Sequence, residues 1–378
     1  MAYKLVCIDC LQEHDSSKYR LLCESCNGLL DTKYDSIKPE KDPILSDGKG
    51  IARYLAILPI NNPSNLITMG EGDTPIVQLN HIAKLLKLPN LFSKLEYLNP
   101  TGSFKDRGNA VQVSVLKDLG ITEIADPTGG NAGHSFAAYC ARAGIKFHGF
   151  ANKDGLSQSK IQAIMLHGTH MHWVDNTREA RVEEANRFSE EAGIPRVNYA
   201  LNIYFIEGLK VMAYEIAEQM TPLPDHIIVP SGNGSIIHGL WKGFSEMLEN
   251  GRIPKIPQLH AAQTEETQPI VAAFEGLKWT PKLGKALSIA NGVGVPEPPR
   301  LKTLLEIFQA SGGMPIAVPE PKISAWQRKL AETEGIFIEP TSALVFGALE
   351  RLIHIEAIKT TDRVLLPLTG FGAKEPIP

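Results

Sequence analysis

Asn99-Pro100-Thr101-Gly102-Ser103-Phe104-Lys105-Asp106-Arg107-Gly108 is the stretch that decides how the rest of the chain is read. An alternating apolar run, Leu91 to Tyr97, precedes it, and Ala110, Val111, Val115, Leu116 and Leu119 follow at helical spacing. A period of two giving way to a period of 3.6 predicts a strand that turns into a helix, with Lys105 at the turn. Spacing alone leaves that lysine as one more solvated side chain, which is what most lysines are.

The order of the residues says more. Pro100 to Gly108 resembles the lysine motif of the threonine synthase family, fold type II enzymes that use pyridoxal 5'-phosphate. The resemblance implies that Lys105 forms the Schiff base with the cofactor. The related serine and threonine dehydratases typically have an apolar residue directly after the lysine; Asp106 stands there in this chain and favours the synthase side.

Three further segments run in the same family order. Thr128-Gly129-Gly130-Asn131-Ala132-Gly133 lies between a strand and a helix, where glycines let backbone approach a ligand and a helix N-terminus offers N–H groups to an anion. The resemblance implies that Asn131 bonds the cofactor's phenolic oxygen, and that Thr128, Gly129, Gly130 and Ser103 meet the substrate. Ser231-Gly232-Asn233-Gly234-Ser235 follows an apolar run, His226 to Pro230, and opens a helix over 236–248, the grammar of a phosphate cradle. Thr369 in Leu368-Thr369-Gly370-Phe371-Gly372 resembles the threonine that faces the pyridine nitrogen, although the histidine of that pattern is Phe371 here. A neutral hydroxyl there makes the ring a weaker electron sink than a carboxylate would, which suits elimination and replacement. Each segment taken singly is also an ordinary turn.

Ile206-Glu207-Gly208 and Glu339-Pro340-Thr341-Ser342 resemble further family segments. One departure stands out: where the family commonly has an arginine just before Ile-Glu-Gly, this chain has Phe205. Phenylalanine cannot replace a bidentate phosphate donor, and Arg178 and Arg181 are the candidate substitutes.

Beyond Lys105, apolar strand candidates at 121–126, 145–151, 170–174, 226–230, 258–263, 314–318 and 363–368 alternate with helical stretches, which predicts an α/β fold with mainly parallel sheets. The resemblance implies the two-domain architecture of tryptophan synthase β-like enzymes. We expect a ribbon-like segment at 1–40, a large cofactor-binding domain from 41–90 and 196–378, and a small domain at 91–195. From Asp31 to Asn65 the composition reads as an irregular linker with a short helix near 51–57.

Cys7, Cys10, Cys23 and Cys26 form two Cys-x-x-Cys pairs, a spacing that can deliver four thiolates to one structural zinc. Two disulfides, a metal-free ribbon and a redox pair are the competing readings. Some threonine synthase relatives, including cysteate synthases, resemble this chain in carrying such a segment.

With 378 residues, 43% hydrophobic, 21% charged and a net charge of −4, the composition is that of a globular protein with no electrostatic footprint for nucleic acid or an anionic membrane. No signal-peptide pattern and no membrane-length apolar run occur, so we expect a cytoplasmic enzyme, a homodimer by resemblance, acting on a small amino-acid substrate. The expected reaction is loss of phosphate from O-phosphohomoserine with addition of water, giving L-threonine. The alternatives are β-replacement on an activated serine, dehydration of serine or threonine, and, from another class, a zinc-ribbon binding protein on an inactive enzyme fold.

Overall fold

The computed structural model describes residues 3–34, 48–152, 157–174, 178–281 and 288–374. The chain opens with strands β1 (Tyr3–Cys7), β2 (Glu13–His14) and β3 (Leu30–Tyr34). Then come β4 (Ile76–Gln78), α1 (Asn80–Leu86) and β5 (Leu91–Lys94), followed by α2 (Lys105–Asp118), β6 (Glu123–Pro127), α3 (Gly130–Ala143), β7 (Lys146–Asn152), α4 (Gln158–Leu166), β8 (His170–Val174) and α5 (Arg178–Ala192). The last part holds α6 (Ile203–Gln219), β9 (His226–Pro230), α7 (Ser235–Glu249), β10 (Gln258–Thr264), α8 (Pro269–Phe274), α9 (Leu301–Ser311), β11 (Pro315–Val318), α10 (Glu320–Glu334), α11 (Pro340–His354) and β12 (Val364–Pro367).

Two compact units divide the chain. The first comprises Met1–Asp73, Asn99–Thr101 and Lys105–Gly208; the second comprises Thr74–Leu98, Gly102–Phe104 and Leu209–Pro378. Within the second, a six-stranded sheet runs β11-β10-β9-β12-β5-β4, parallel except for β4, which is antiparallel to β5. Every residue of β9 and β12 is buried. Central strands covered on both faces need apolar side chains on both, and so appear in the sequence as continuous apolar runs. The core against this sheet includes Leu344, Phe346 and Trp326, the last two stacked with ring centroids 5.4 Å apart.

The first unit holds the parallel sheet β6-β7-β8 and the antiparallel ribbon β2-β1-β3. Here one expectation is corrected. The linker expected from Asp31 begins later, because Leu30–Tyr34 is a strand that pairs with β1 from Cys7↔Leu30 to Tyr3↔Tyr34. Its polar composition hid it: backbone pairing to β1 supplies the stability that apolar burial supplies elsewhere. The helical turn expected near 51–57 is a 3-10 helix, Gly50–Ile57, and residues 35–47 of the expected linker lie outside the described residues. No helix among the described residues is long and apolar enough to cross a membrane.

Candidate active site

Lys105 is the first residue of α2, where the sequence places the turn. Its Nζ lies 4.3 Å from the ring centroid of Tyr199 and 5.4 Å from that of Phe205. Aromatic faces attract an ammonium, so both rings favour this location for the lysine head. Phe205 is fully buried, and Gly108 is the reason it fits: a Cβ at Gly108 would collide with the Phe205 ring. The position that carries arginine in the family pattern is therefore a packed aromatic beside the lysine.

Asp106 clasps the turn that leads into α2. Its carboxylate accepts the Thr101 N–H at 2.6 Å and the Thr101 hydroxyl at 2.5 Å. Burial pushes the Asp106 carboxyl up to about 6 and the neighbouring Glu71 charge adds to this, while the hydrogen bonds from Thr101 pull the other way. Glu71 in turn accepts the Tyr139 hydroxyl at 2.6 Å.

The Thr128–Gly133 loop closes β6 and opens α3 within the same unit. Thr128 is bound through its backbone, with N–H donating to Phe150 O at 2.8 Å and its carbonyl accepting from Arg181 Nη1 at 3.3 Å. A side chain at Gly133 would run into Thr128 Oγ1, whereas one at Gly130 would meet no atom within 4 Å, so the loop is tight on one side and open on the other. Gly130 also takes φ +58°, a left-handed conformation that glycine adopts without strain. Arg181 thus reaches the asparagine loop; the side chain of Arg178 lies outside the described residues.

The second unit holds the other predicted residues. Ser103 bridges to Gly370, Phe104 N–H donates to Thr369 O at 3.1 Å, and Phe371 N–H donates to Gly102 O at 3.0 Å. The loop that leads to Lys105 is therefore zipped to the segment that carries Thr369. Ser342 Oγ accepts the Gly370 N–H at 2.9 Å and lies 2.9 Å from Thr369 Oγ1. If Ser342 donates to Thr369, the Thr369 hydrogen is directed elsewhere, as a contact to a ring nitrogen requires. Phe371 stacks on Tyr97 at 5.9 Å, a packing role in place of the pattern's histidine.

Ser231 to Ser235 link β9 to α7. Gly234 sits at φ +79°, and a Cβ there would lie 2.5 Å from Leu304 Cδ1; at Gly232 it would lie 2.9 Å from Val295 Cγ2. Both glycines let the loop fold down on the 291–304 segment, leaving the first N–H groups of α7 for a ligand. Three hydroxyls in these loops, Ser103 Oγ, Thr128 Oγ1 and Ser231 Oγ, are buried with no hydrogen-bond partner among the described residues. Buried donors without partners are costly, and each unit carries such hydroxyls on its own glycine-bearing loops, Thr128 in the first and Ser103 and Ser231 in the second, which fits loops that meet a polar ligand such as pyridoxal phosphate. Sequence patterns did not mark Tyr199 or the Asp106–Thr101 clasp, since neither residue type at that position announces its partner.

The cysteines converge as well. The ligand atoms of Cys7, Cys10, Cys23 and Cys26 lie within 4.8 Å of one another, and all four are free thiols. Gly28 makes room for them, since a Cβ there would lie 2.8 Å from Cys7 Sγ and 3.1 Å from Cys26 Sγ. His14 Nε2 stands 3.2 Å from Cys23 Sγ, the kind of outer contact that orients a metal ligand.

Comparison with known proteins agrees with this geometry. A family model for pyridoxal-phosphate dependent enzymes matches residues 67–370. The chain is 32% identical to threonine synthase of Methanocaldococcus jannaschii, over 98% of this chain and 92% of that protein. It is 30% identical to threonine synthase of Methanosarcina acetivorans, over 99% and 93% respectively. Among solved structures, maize serine racemase superposes with a TM-score of 0.67 at 22% identity, covering 79% of this chain and 88% of that one, a likeness of fold. On the match across residues 67–370, with a lysine, an asparagine loop and a glycine cradle in family order, the chain belongs to the pyridoxal-phosphate dependent enzymes.

Proposed function

We propose that this enzyme is a lyase of the threonine synthase type, converting O-phosphohomoserine and water to L-threonine and phosphate. The observation that carries the proposal is the zipper of Gly102–Phe104 to Thr369–Phe371, which ties the residues just before Lys105 in the sequence to the Thr369 segment. Full-length similarity to two threonine synthases supports it.

Lys105 would anchor the cofactor, the 231–235 loop and the start of α7 would hold its phosphate, Asn131 its phenolic oxygen, and Thr369 its ring nitrogen. When bound, the cofactor supplies an electron sink for charge developing at the substrate carbons. Lys105 Nζ, once free, carries protons at Cα and Cβ as base and then acid. Backbone N–H groups at Thr128 to Gly130, with Ser103, bind and orient the substrate. The large domain of 41–90 and 196–378 and the small domain of 91–195 belong to the same proposal, as does a cytoplasmic homodimer.

Phe205 favours a second reading, β-replacement on an activated serine as in cysteate synthases. The buried ring beside Lys105 leaves the substrate phosphate without the family's arginine, and a charge-assisted hydrogen bond of about 1.5–3 kcal/mol corresponds to roughly ten- to a hundred-fold in affinity. Arg181, on the Thr128 carbonyl, is the substitute that keeps the first reading. Phosphate release from O-phosphohomoserine set against O-phosphoserine, with products identified by mass, decides between them. Efficient threonine formation that survives Arg178→Ala together with Arg181→Ala would remove the phosphate argument.

The four cysteines are proposed to bind one structural zinc. A tetrahedral site with Zn–S of about 2.3 Å needs sulfurs roughly 3.8 Å apart, and the sulfurs of Cys10 and Cys23 stand 3.7 Å apart. Purified protein should contain about one equivalent of zinc, and Cys23→Ser should lower it; metal-free protein with four titratable thiols would defeat the assignment.

A further inference from the structure

By its sequence the ribbon is a self-contained knuckle, remote from the residues that do chemistry. Its contacts within the first unit are of another kind. Thr32 and Tyr34, at the end of β3, both donate their hydroxyls to the carboxylate of Glu207, Thr32 to Oε1 at 2.5 Å and Tyr34 to Oε2 at 2.5 Å. Glu207 is fully buried. On β1, the Tyr3 ring meets Tyr204 edge-on with centroids 6.2 Å apart, and the two hydroxyls are 3.4 Å apart. Tyr19 packs on the same Tyr204 at 6.4 Å, donates to Val197 O at 3.3 Å and accepts from Asn202 Nδ2 at 2.9 Å.

Residues three apart on a helix share a face. Tyr204 and Glu207 form one stripe at the start of α6, and the ribbon grips it. Phe205 and Gly208 form the adjacent stripe, and it faces α2: Phe205 lies on Gly108, and a Cβ at Gly208 would strike the Arg107 carbonyl. Phe205 also stands 5.4 Å from Lys105 Nζ. One turn of helix therefore has the ribbon on one side and the lysine's helix on the other.

We propose that the ribbon is a positioning element of the active site. Glu207 and Tyr204 are the positioning residues: they hold the first turn of α6, so that Phe205 keeps its place against Lys105. Releasing Thr32 and Tyr34 leaves a carboxylate buried without two of its donors, a costly state that the turn relieves by moving. Phe205 shifts with it, and cofactor attachment at Lys105 weakens. The proposal rests on Lys105 being the cofactor lysine.

The test uses the full chain and measures the dissociation constant for pyridoxal phosphate, the position of the visible cofactor band, bound metal and thermal unfolding. Thr32→Val with Tyr34→Phe breaks the grip and keeps all four cysteines. We expect cofactor binding weakened about ten-fold and a shifted band, with metal content retained. Glu13→Ala, which removes exposed ion pairs to Lys4 and Lys33 on the same ribbon, should match wild type. If the double variant fails to fold, Tyr34→Phe alone serves, with a smaller shift in the same direction. A wild-type band and wild-type affinity in the folded Thr32/Tyr34 variant overturn the proposal, as does an equal loss in Glu13→Ala. A visible band that persists in Lys105→Ala would instead overturn the lysine assignment beneath it.

Discussion

Helices α2 and α7 each begin at a glycine-bearing or lysine-bearing loop, and they are buried to different extents. In α2, eleven consecutive residues from Asp106 to Leu116 are buried, among them Asp106, Arg107, Asn109, Gln112 and Ser114. In α7 the first six residues, Ser235 to Leu240, are buried without a break, the rest of the buried set is dominated by Phe244 and Met247, and Leu248 and Glu249 are exposed. A helix enclosed on all sides must satisfy its polar groups by specific bonds. Ser114 Oγ accepts Ile67 N–H at 2.8 Å and donates to Ala110 O at 2.6 Å, Gln112 Nε2 donates to Asn109 Oδ1 at 2.9 Å, and Asn109 Nδ2 donates to Ala132 O at 3.3 Å. Helix α7 has fewer such bonds, at His238 and Glu246, and rests more on apolar area, which tolerates small changes; α2 rests on a larger set of bonds, which does not.

Substitutions along α2 and its neighbour therefore test that contrast. Lys105→Ala should have the largest effect, with loss of the visible cofactor band and of turnover, because the motif offers no second amine. An absorbance spectrum and an assay check it, and a wild-type band would break the comparison at its most important residue.

Gly208→Ala comes next. The new methyl meets the Arg107 carbonyl, so unfolding stability should fall by about 1–3 kcal/mol, while Leu248→Ala, at an exposed position of α7, should stay within about 0.5 kcal/mol. Urea unfolding of both variants measures the difference, and equal effects would erase it.

Ser114→Ala should cost about 1–2 kcal/mol, because the buried Ile67 N–H loses its acceptor. A neutral result would mean that the bonds of α2 are incidental to its placement.

The smallest effect is a pH limb. Asp106, pushed up to about 6 by burial, is a carboxylate above that pH and can accept both Thr101 donors; as pH falls through about 6 it gains a proton and gives up acceptor capacity. Turnover should accordingly decline below about pH 6, and Asp106→Asn should lower activity at all pH values while removing that inflection. A variant profile that keeps the inflection assigns it to another group.

Much of this was legible in the chain. The strand candidates at 226–230, 258–263, 314–318 and 363–368 are observed as His226–Pro230, Gln258–Thr264, Pro315–Val318 and Val364–Pro367, and the central two, β9 and β12, stand out most as apolar runs because both their faces are covered. The loops at Lys105, Asn131 and Gly234 were legible for a related reason, since a strand, a glycine turn and a helix N-terminus are consecutive in sequence. The strand Leu30–Tyr34 was not legible, because its pairing with β1 is made by backbone atoms that every residue type carries.

By itself, then, the sequence determined the alternation of strands and helices beyond Lys105, the order of the loop motifs and the cysteine spacing, all of which depend on neighbours a few residues apart. Only the tertiary structure decided that Tyr199 and Phe205 flank Lys105 and that Glu207 is held by Thr32 and Tyr34. Thr32 and Glu207 are 175 residues apart, and such a contact exists only once folding has brought both to one place. No local pattern encodes it, because the partner that satisfies a buried carboxylate can come from anywhere in the chain.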